Sequence, residues 1–519
     1  MDISFFLRQC RGQAPRFHPD DAAIGFEDAA ALSYADIEQR SLRYAGALRE
    51  LGVVAGDRVG ILLYNRVEYW LAYFAITRLG AIAVRLNFRL APEELVYALT
   101  DSGASVLLSE IDLLKKLEGC RDQVGIRSFV AFAGLEPGSR AEPLPDWAID
   151  AAALEQGAAL EPGLPLPAPD DPAMLMYTSG TTGRPKGALW AHGTTTWWAA
   201  MQVIEWGLSP ASVTMITGPM YHIGGLENYA LPTLAAGGRV VILRSGNFGI
   251  RRTLEIASRQ KVTDILLFPT MIYQMLEDER IDEIDLSTIR RVFSGGDPLL
   301  PSAIRQMQER FGWMDIVQVY GLTEGTPIVA CGGPGQSLSQ PAAVGRAFPF
   351  SEISIRNDDG QPVAVGDVGE IWTRSPANAL GYWNKPEATA ETFVDGWCRT
   401  GDLGAVQDGA LHIAGRKKDM VRSGGENIYP SEIEDLLLRH PAISEAAVIG
   451  IPDPLYLEAV CAVVVPRNGA TISESEVIAY CGDHLASYKK PKRVVFLEKL
   501  PRTPSHKIIK SELRQKYRA

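Results

Sequence analysis

Cysteine is scarce in this chain of 519 residues: Cys10, Cys120, Cys331, Cys398, Cys461 and Cys481 are scattered, and none forms a CxxC pair. Such spacing excludes the usual zinc motifs and gives no sign of a disulfide framework. It fits a reducing compartment, and a cytoplasmic location is the expectation. Long apolar runs are missing too. Residues 459–465 are typical of those present, and they are strand-sized, far short of the roughly 18 residues of a membrane span. The apolar patch between Asp2 and Arg8 is too short for the core of a signal peptide, so no transmembrane segment is expected. Basic charge is in deficit. Lys and Arg number 51 against 62 Asp and Glu, a formal net charge of −11, which argues against a nucleic-acid partner because such proteins need a basic face. Neither an internal repeat nor a low-complexity tract is evident.

What is present is alternation. Ser33-x-x-Asp36 reads as a capping box, with Ile37, Leu42, Ala45 and Leu48 on one helical face behind it. Residues 58–63 read as a strand and 67–79 as a helix stopped by Gly80. Residues 81–86 read as a strand, Pro92 opens a helix, and 105–108 form the next strand. Alternation at this pitch predicts an α/β fold with parallel, doubly wound sheets. Pro162, Pro165, Pro167, Pro169 and Pro172 read as a stiff linker, after which strands at 239–243 and 264–268 resume the pattern. Residues 340–414 change to short strands with Gly/Asp turns, a β-rich subdomain. A compact tail follows, with helices at 431–439 and 473–485 and strands at 445–451 and 459–466. The expected organisation is a large N-terminal domain, residues 1–416, and a small mobile α+β domain, residues 417–519.

The most informative stretch is Tyr177-Thr-Ser-Gly-Thr-Thr-Gly-Arg-Pro-Lys-Gly187, at the end of an apolar run. The hydroxyls of Thr178, Ser179, Thr181 and Thr182 suit the oxygens of a polyphosphate. Gly180, Gly183 and Gly187 free the backbone N–H groups for close approach, and Lys186 adds a point charge. This is not the GxxxxGK[ST] loop of common ATPases. Counted from Gly180, Pro185 stands where Gly is required and Gly187 where the Mg-binding hydroxyl belongs. Taken alone, so polar a loop reads equally as flexible surface. More motifs follow in order: Tyr221-His222-Ile-Gly-Gly225, Ser294-Gly-Gly-Asp297, Val319-Tyr-Gly-Leu-Thr-Glu324, Gly381-Tyr-Trp-Asn-Lys-Pro-Glu387, Thr400-Gly-Asp-Leu403, Gly415-Arg-Lys-Lys-Asp419, Gly424-Gly-Glu-Asn-Ile-Tyr-Pro430 and residues 501–510.

The ordered set resembles the adenylate-forming superfamily of acyl-CoA synthetases, peptide-synthetase adenylation domains and firefly-type luciferases, over nearly the whole chain. The resemblance implies an ATP-dependent acyl-CoA synthetase. A carboxylic acid becomes acyl-AMP with release of pyrophosphate, and its acyl group then passes to CoA. ATP, Mg²⁺ and CoA are the implied cofactor and co-substrates. Mg²⁺ takes hard oxygen ligands, commonly one or two carboxylates plus phosphate, and the resemblance assigns it to Glu324 and Thr178. It assigns phosphates to Thr178, Ser179, Gly180, Thr181, Thr182, Gly183, Lys186 and Thr323. Adenine and its flanks fall to Gly295, Gly296, Asp297, Gln318, Tyr320 and Gly321, and the ribose to Asp402 and Arg416. Tyr221, His222, Gly225 and Gly321 border the acid and the pantetheine tunnel, which Gly424 and Gly425 line. Lys418 is the hinge. Lys507 is the C-terminal catalytic lysine, with His506 where the family has Gly and Lys510 where it has Arg. His tolerates the left-handed region better than most residues.

Individually these residues read blandly: Glu324 as a solvated loop charge, His222 as a core histidine, Gly401-Asp402 as a turn. Amino-acid-activating relatives carry Asp just after the aromatic position. Here His222 and Ile223 follow Tyr221, which argues against an amino-acid substrate. The expected acid is neutral-tailed and apolar, of medium or larger size, aliphatic or cyclic. Tyr221, Ile223, Leu226, Phe293, Leu322 and Ile328 would line its pocket, with Gly224, Gly225, Gly295, Gly296 and Gly325 leaving room. Glu227 and Asp297 stand open as acceptors of a polar tail. Three other readings also stand: an enzyme loading a separate carrier protein, a luciferase-like oxygenase, and a non-catalytic nucleotide-binding regulator. The oligomeric state is not legible, and a homodimer is left open.

Overall fold

Ser33 caps the helix Tyr34–Glu50 reciprocally: its Oγ accepts from Asp36 N (3.1 Å) and the Asp36 carboxylate accepts from Ser33 N (3.0 Å). Pro92, Pro269 and Pro301 each open a helix, Pro92–Ser102, Pro269–Glu277 and Pro301–Arg310, where the missing N–H has no partner to lose. Gly103 ends the first of these with φ +63°. The computed structural model describes residues 1–11, 13, 15–134, 143–160, 165–178, 184–246, 248–296, 299–423, 426–502 and 508–518. They form two compact units. One holds Met1–Pro341, Gly345–Ile353 and Thr373–Arg399, and the other Ala342–Val344, Ser354–Trp372 and Thr400–Ala519.

The first unit is built on two large sheets of the α/β kind expected. One runs in the order Gly381–Tyr382, Lys186–Ala191, Pro172–Thr178, Ile82–Arg85, Arg58–Leu62, Val106–Glu110, Ser128–Phe132, Ile149–Asp150. It is parallel from Pro172–Thr178 onward, and the strands Lys186–Ala191 and Gly381–Tyr382 are antiparallel additions. The other runs Arg346–Ala347, Ala330–Cys331, Asp315–Tyr320, Arg291–Gly295, Asp264–Leu266, Val213–Ile216, Arg239–Ile242, Ala22–Phe26, Leu32–Ser33. Trp70, Trp190 and Trp198 are enclosed in the core of this unit. The proline-rich stretch is not a free spacer where it is described. Pro169 O and Asp171 O accept from Gly193 N (2.6 Å) and His192 N (3.0 Å), and Pro172 already belongs to a strand.

In the second unit a sheet runs Glu426–Ile428, Val421–Ser423, Leu457–Pro466, Ile443–Asp453, with Arg493–Phe496 also pairing Leu457–Pro466. Helices Pro430–Leu437 and Glu474–His484 bury Ile433, Leu437 and Val477 with Val448, Val460 and Ala462 of that sheet. Among the described residues no helix is long and apolar enough to cross a membrane.

Candidate functional site

Strand ends define the site of the first unit. Thr178, Gly295 and Tyr320 are the last residues of Pro172–Thr178, Arg291–Gly295 and Asp315–Tyr320, and ligands of open α/β sheets bind beyond the carboxyl ends of strands. Thr178 is the register partner of Lys186. Thr178 Oγ1 donates to Glu324 Oε1 (2.9 Å), and Tyr382 Oη donates to the same oxygen (3.1 Å). Lys186 Nζ lies 5.0 Å from the centroid of the Tyr382 ring. Burial, and after it the Glu324 carboxylate, holds the Tyr382 hydroxyl well above its ordinary pKa, so it stays a donor. The Glu324 loop is tied down on both sides: Ala379 N donates to Glu324 O (2.9 Å) and Trp190 Nε1 to Thr323 O (3.0 Å). Gln318 is buried, and its Nε2 donates to Pro341 O (3.1 Å).

His222 caps the short helix Ile223–Leu226, its Nδ1 accepting from Gly224 N (3.1 Å). Arg85, at the end of Ile82–Arg85, donates to His222 O (3.1 Å) and Met220 O and is ion-paired with Glu227. Both side chains of the pair are fully buried. Burial pushes the Glu227 carboxyl up, with Arg85 opposing. Glu227 therefore belongs to the core, which removes it as an acceptor for a polar tail.

The apolar lining differs from expectation as well. Leu226, Phe293 and Ile328 are completely enclosed, and Tyr221 packs edge-on against Phe88 (5.2 Å) in the core of the first sheet. Three of the five glycines leave no room. A Cβ would meet Pro219 O at 2.1 Å from Gly225, Val319 Cγ2 at 2.5 Å from Gly295 and Cys398 Sγ at 2.7 Å from Gly325. Gly321 likewise gives way to backbone, with Pro327 O at 2.2 Å. Gly296, at φ +91°, and Gly224 have no contact shorter than 3.4 Å and are partly open. Phe268, which sequence reasoning missed, stands 3.7 Å from the Cβ position of Gly296 and 3.4 Å from that of Gly218, half-buried just beyond the end of Asp264–Leu266. The signal that could have found it is its place between a strand end and Pro269.

In the second unit Asp402 and Arg416 are register partners joined by an ion pair (2.8 Å), the carboxylate buried and the guanidinium partly exposed. Asp402 N donates to Thr400 Oγ1 (3.1 Å), which in turn donates to Ile371 O (2.7 Å). Lys418 lies in the turn Lys417–Asp419 directly after the strand Ala410–Arg416. Ser179, Gly180, Thr181, Thr182, Gly183, Asp297, Gly424, Gly425, His506 and Lys507 lie outside the described residues. No cluster of three or more His, Cys, Asp or Glu side chains suited to a metal occurs among those described. A site of one carboxylate, hydroxyls and substrate phosphates does not need one.

The AMP-binding enzyme family matches residues 11–383, and the AMP-binding enzyme C-terminal domain matches residues 432–507. Indoleacetate–CoA ligase of Aromatoleum aromaticum is 38% identical over 99% of this chain and 98% of its own length. Feruloyl-CoA synthase of an Amycolatopsis species is 38% identical over 97% of each chain. The crystal structure of ATP-bound MatB from Rhodopseudomonas palustris superposes with a TM-score of 0.89 at 31% identity, covering 100% of this chain and 99% of the other. The chain belongs to the AMP-binding, adenylate-forming enzyme family.

Proposed function

We propose that the protein is an ATP-dependent carboxylate–CoA ligase acting on a bulky, apolar, uncharged-tail acid of aromatic or cyclic type. The observation that carries the reading is Glu324 Oε1 receiving both Thr178 and Tyr382 at the strand ends, beside Lys186. This is a donor set of hard oxygens, one of them anionic, and it fits Mg²⁺. Thr178 and Glu324 would hold the ion, which neutralises phosphate charge when bound.

A carboxylate oxygen of the acid attacks the α-phosphorus of ATP, the bond to pyrophosphate breaks, and acyl-AMP forms. Lys186 presents its ammonium to the charge that develops on the phosphate, and Lys507 is assigned the same task by resemblance. Thr323, Gln318, Tyr320, Gly295 and Gly296 border the nucleotide, and Asp402 is assigned the ribose hydroxyls by resemblance. The CoA sulfur then attacks the acyl carbon and AMP leaves. Catalysis is positioning and electrostatics, with no covalent enzyme intermediate. We take residues 1–416 and 417–519 as the functional domains, with Lys418 as their hinge, and the cytoplasm as the compartment.

The acid class rests on three supports. Phe268 is a half-buried aromatic beside Gly296 and Gly218. Glu227 is sealed by Arg85. Two relatives of similar length are named for acids with aromatic rings. CoA-dependent AMP formation across acetate, hexanoate, benzoate, a phenylpropenoate, an indole acid and a dicarboxylate tests it. The ring-bearing acids are expected to lead, and a preference for acetate or the dicarboxylate contradicts the proposal.

A further inference from the structure

Behind the residues that face the strand ends, a second group of side chains grips the hairpin that carries Thr178 and Lys186. Asp101, in the last turn of the helix Pro92–Ser102, accepts from Tyr177 Oη at Oδ2 (2.8 Å) and from Lys385 Nζ at Oδ1 (2.9 Å). Its backbone carbonyl accepts from Trp383 Nε1 (3.1 Å). One turn earlier on the same helical face, Tyr97 Oη donates to Pro185 O (3.0 Å), and its ring stands edge-on 6.2 Å from that of Tyr177. Trp383 N donates to Gly187 O (2.8 Å).

These contacts fall on both strands of the hairpin at one level. Tyr177 and Gly187 are register partners, one residue from the partners Thr178 and Lys186. The turn after Gly381–Tyr382 is anchored at two points: Tyr382 reaches Glu324, and Lys385 reaches Asp101. The Asp101 side chain is only 10% exposed. A carboxylate so placed makes charge-assisted bonds that outlast those of a solvated surface pair.

We propose that Asp101 is a positioning residue for nucleotide binding. By holding Tyr177 and Lys385 together it fixes the hairpin in the register in which Thr178 and Lys186 meet the ATP phosphates. The proposal rests on the nucleotide-site reading given above and adds a residue that reaches the phosphate-facing side chains only through Tyr177 and Lys385, on a helix whose Tyr97 also holds the hairpin. Asp101→Ala removes both bonds. Asp101→Asn keeps an acceptor for Tyr177 and loses only the charge that Lys385 meets.

The test is ATP affinity by calorimetry without acid, with KM for ATP and for the acid measured in turnover. Loss of two charge-assisted hydrogen bonds, felt at the phosphates only through the hairpin, corresponds to about tenfold in an equilibrium constant. Asp101→Ala is expected to weaken ATP binding about tenfold, to raise KM for ATP alike, and to leave KM for the acid within about twofold. Asp101→Asn should regain part of that loss. Lys385→Met, at a side chain 38% exposed, removes the same ion pair without opening the core and is expected to weaken ATP binding about threefold. Unchanged ATP affinity in these variants overturns the proposal. So do equal losses for ATP and acid, or a lower melting temperature with unchanged constants. If the unaltered protein binds no ATP, the nucleotide-site reading falls and the proposal with it.

Discussion

Removing Glu227 tests whether the loop carrying His222 is held by a buried ion pair. Arg85 reaches Glu227 Oε1, Met220 O, His222 O (3.1 Å), Tyr69 Oη (3.3 Å) and Met174 Sδ (3.0 Å), all from a fully buried position. Glu227 Oε2 is buried without a hydrogen-bond partner among the described residues. Glu227 is thus compensated chiefly by Arg85. Glu227→Leu strands a guanidinium that cannot lose its proton, and breaking one half of a buried pair costs about 3–5 kcal/mol. Replacing both halves, Arg85→Met with Glu227→Leu, removes the stranded charge and should return to within about 1 kcal/mol of the unaltered protein, since buried pairs often break even against apolar residues of similar volume. Function should not return with it. The carbonyls of Met220 and His222 lose their donor, so KM for the acid is expected to rise several-fold while KM for ATP stays. Because the two units need not unfold together, the assay is hydrogen exchange of the strand Ile82–Arg85 combined with steady-state kinetics. The reasoning is refuted if Glu227→Leu costs less than about 1 kcal/mol, or if the double variant shows the sum of the single losses.

Glu324→Gln keeps an acceptor for Thr178 and Tyr382 but loses the anionic ligand, so pyrophosphate release should fall roughly 10²- to 10³-fold; near-normal release would remove Glu324 from the metal site. Phe268→Ala widens the crevice beside Gly296, and the ratio of kcat/KM for a two-ring acid over a one-ring acid should rise about tenfold; an unchanged ratio would place the acid elsewhere. His192 accepts from Ile3 N (3.2 Å), and burial lowers its pKa from 6.5 to about 4. The unfolded chain therefore binds a proton that the folded chain refuses between those values, and stability falls as pH drops from 6.5 to 4, by about 3 kcal/mol at most. Denaturant midpoints of His192→Gln should lose that part of the pH dependence, and an identical slope in the variant would refute it.

Local chemistry was legible in the sequence, and long-range partnership was not. The Ser33 box, the helix that Pro92 opens and the apolar run into Thr178 follow from adjacent residues, and each is present. The strand Ala22–Phe26 went unread because its parallel partner, Arg239–Ile242, lies over 200 residues away. Arg85 and Asp101 gave no signal in the sequence, since nothing near them in the chain names Glu227, Tyr177 or Lys385. The glycines misled for a different reason. A missing side chain makes room either for a ligand or for a neighbouring backbone, and at Gly225, Gly295 and Gly321 the backbone takes it. The motif residues Thr178, Lys186, Glu324 and Tyr382 come together because Thr178 and Tyr382 end their strands, Lys186 opens the antiparallel return strand and Glu324 follows Asp315–Tyr320, which no single motif announces.

The central claim is that one protein first adenylates an acid and only then uses CoA. The most direct test is pyrophosphate release with ATP and a ring-bearing acid, with CoA withheld and then added. An acid-dependent release of about one equivalent per enzyme is expected without CoA, followed by steady turnover with matching AMP once CoA is present. Release of ADP and phosphate, or no acid-dependent pyrophosphate under either condition, would contradict it.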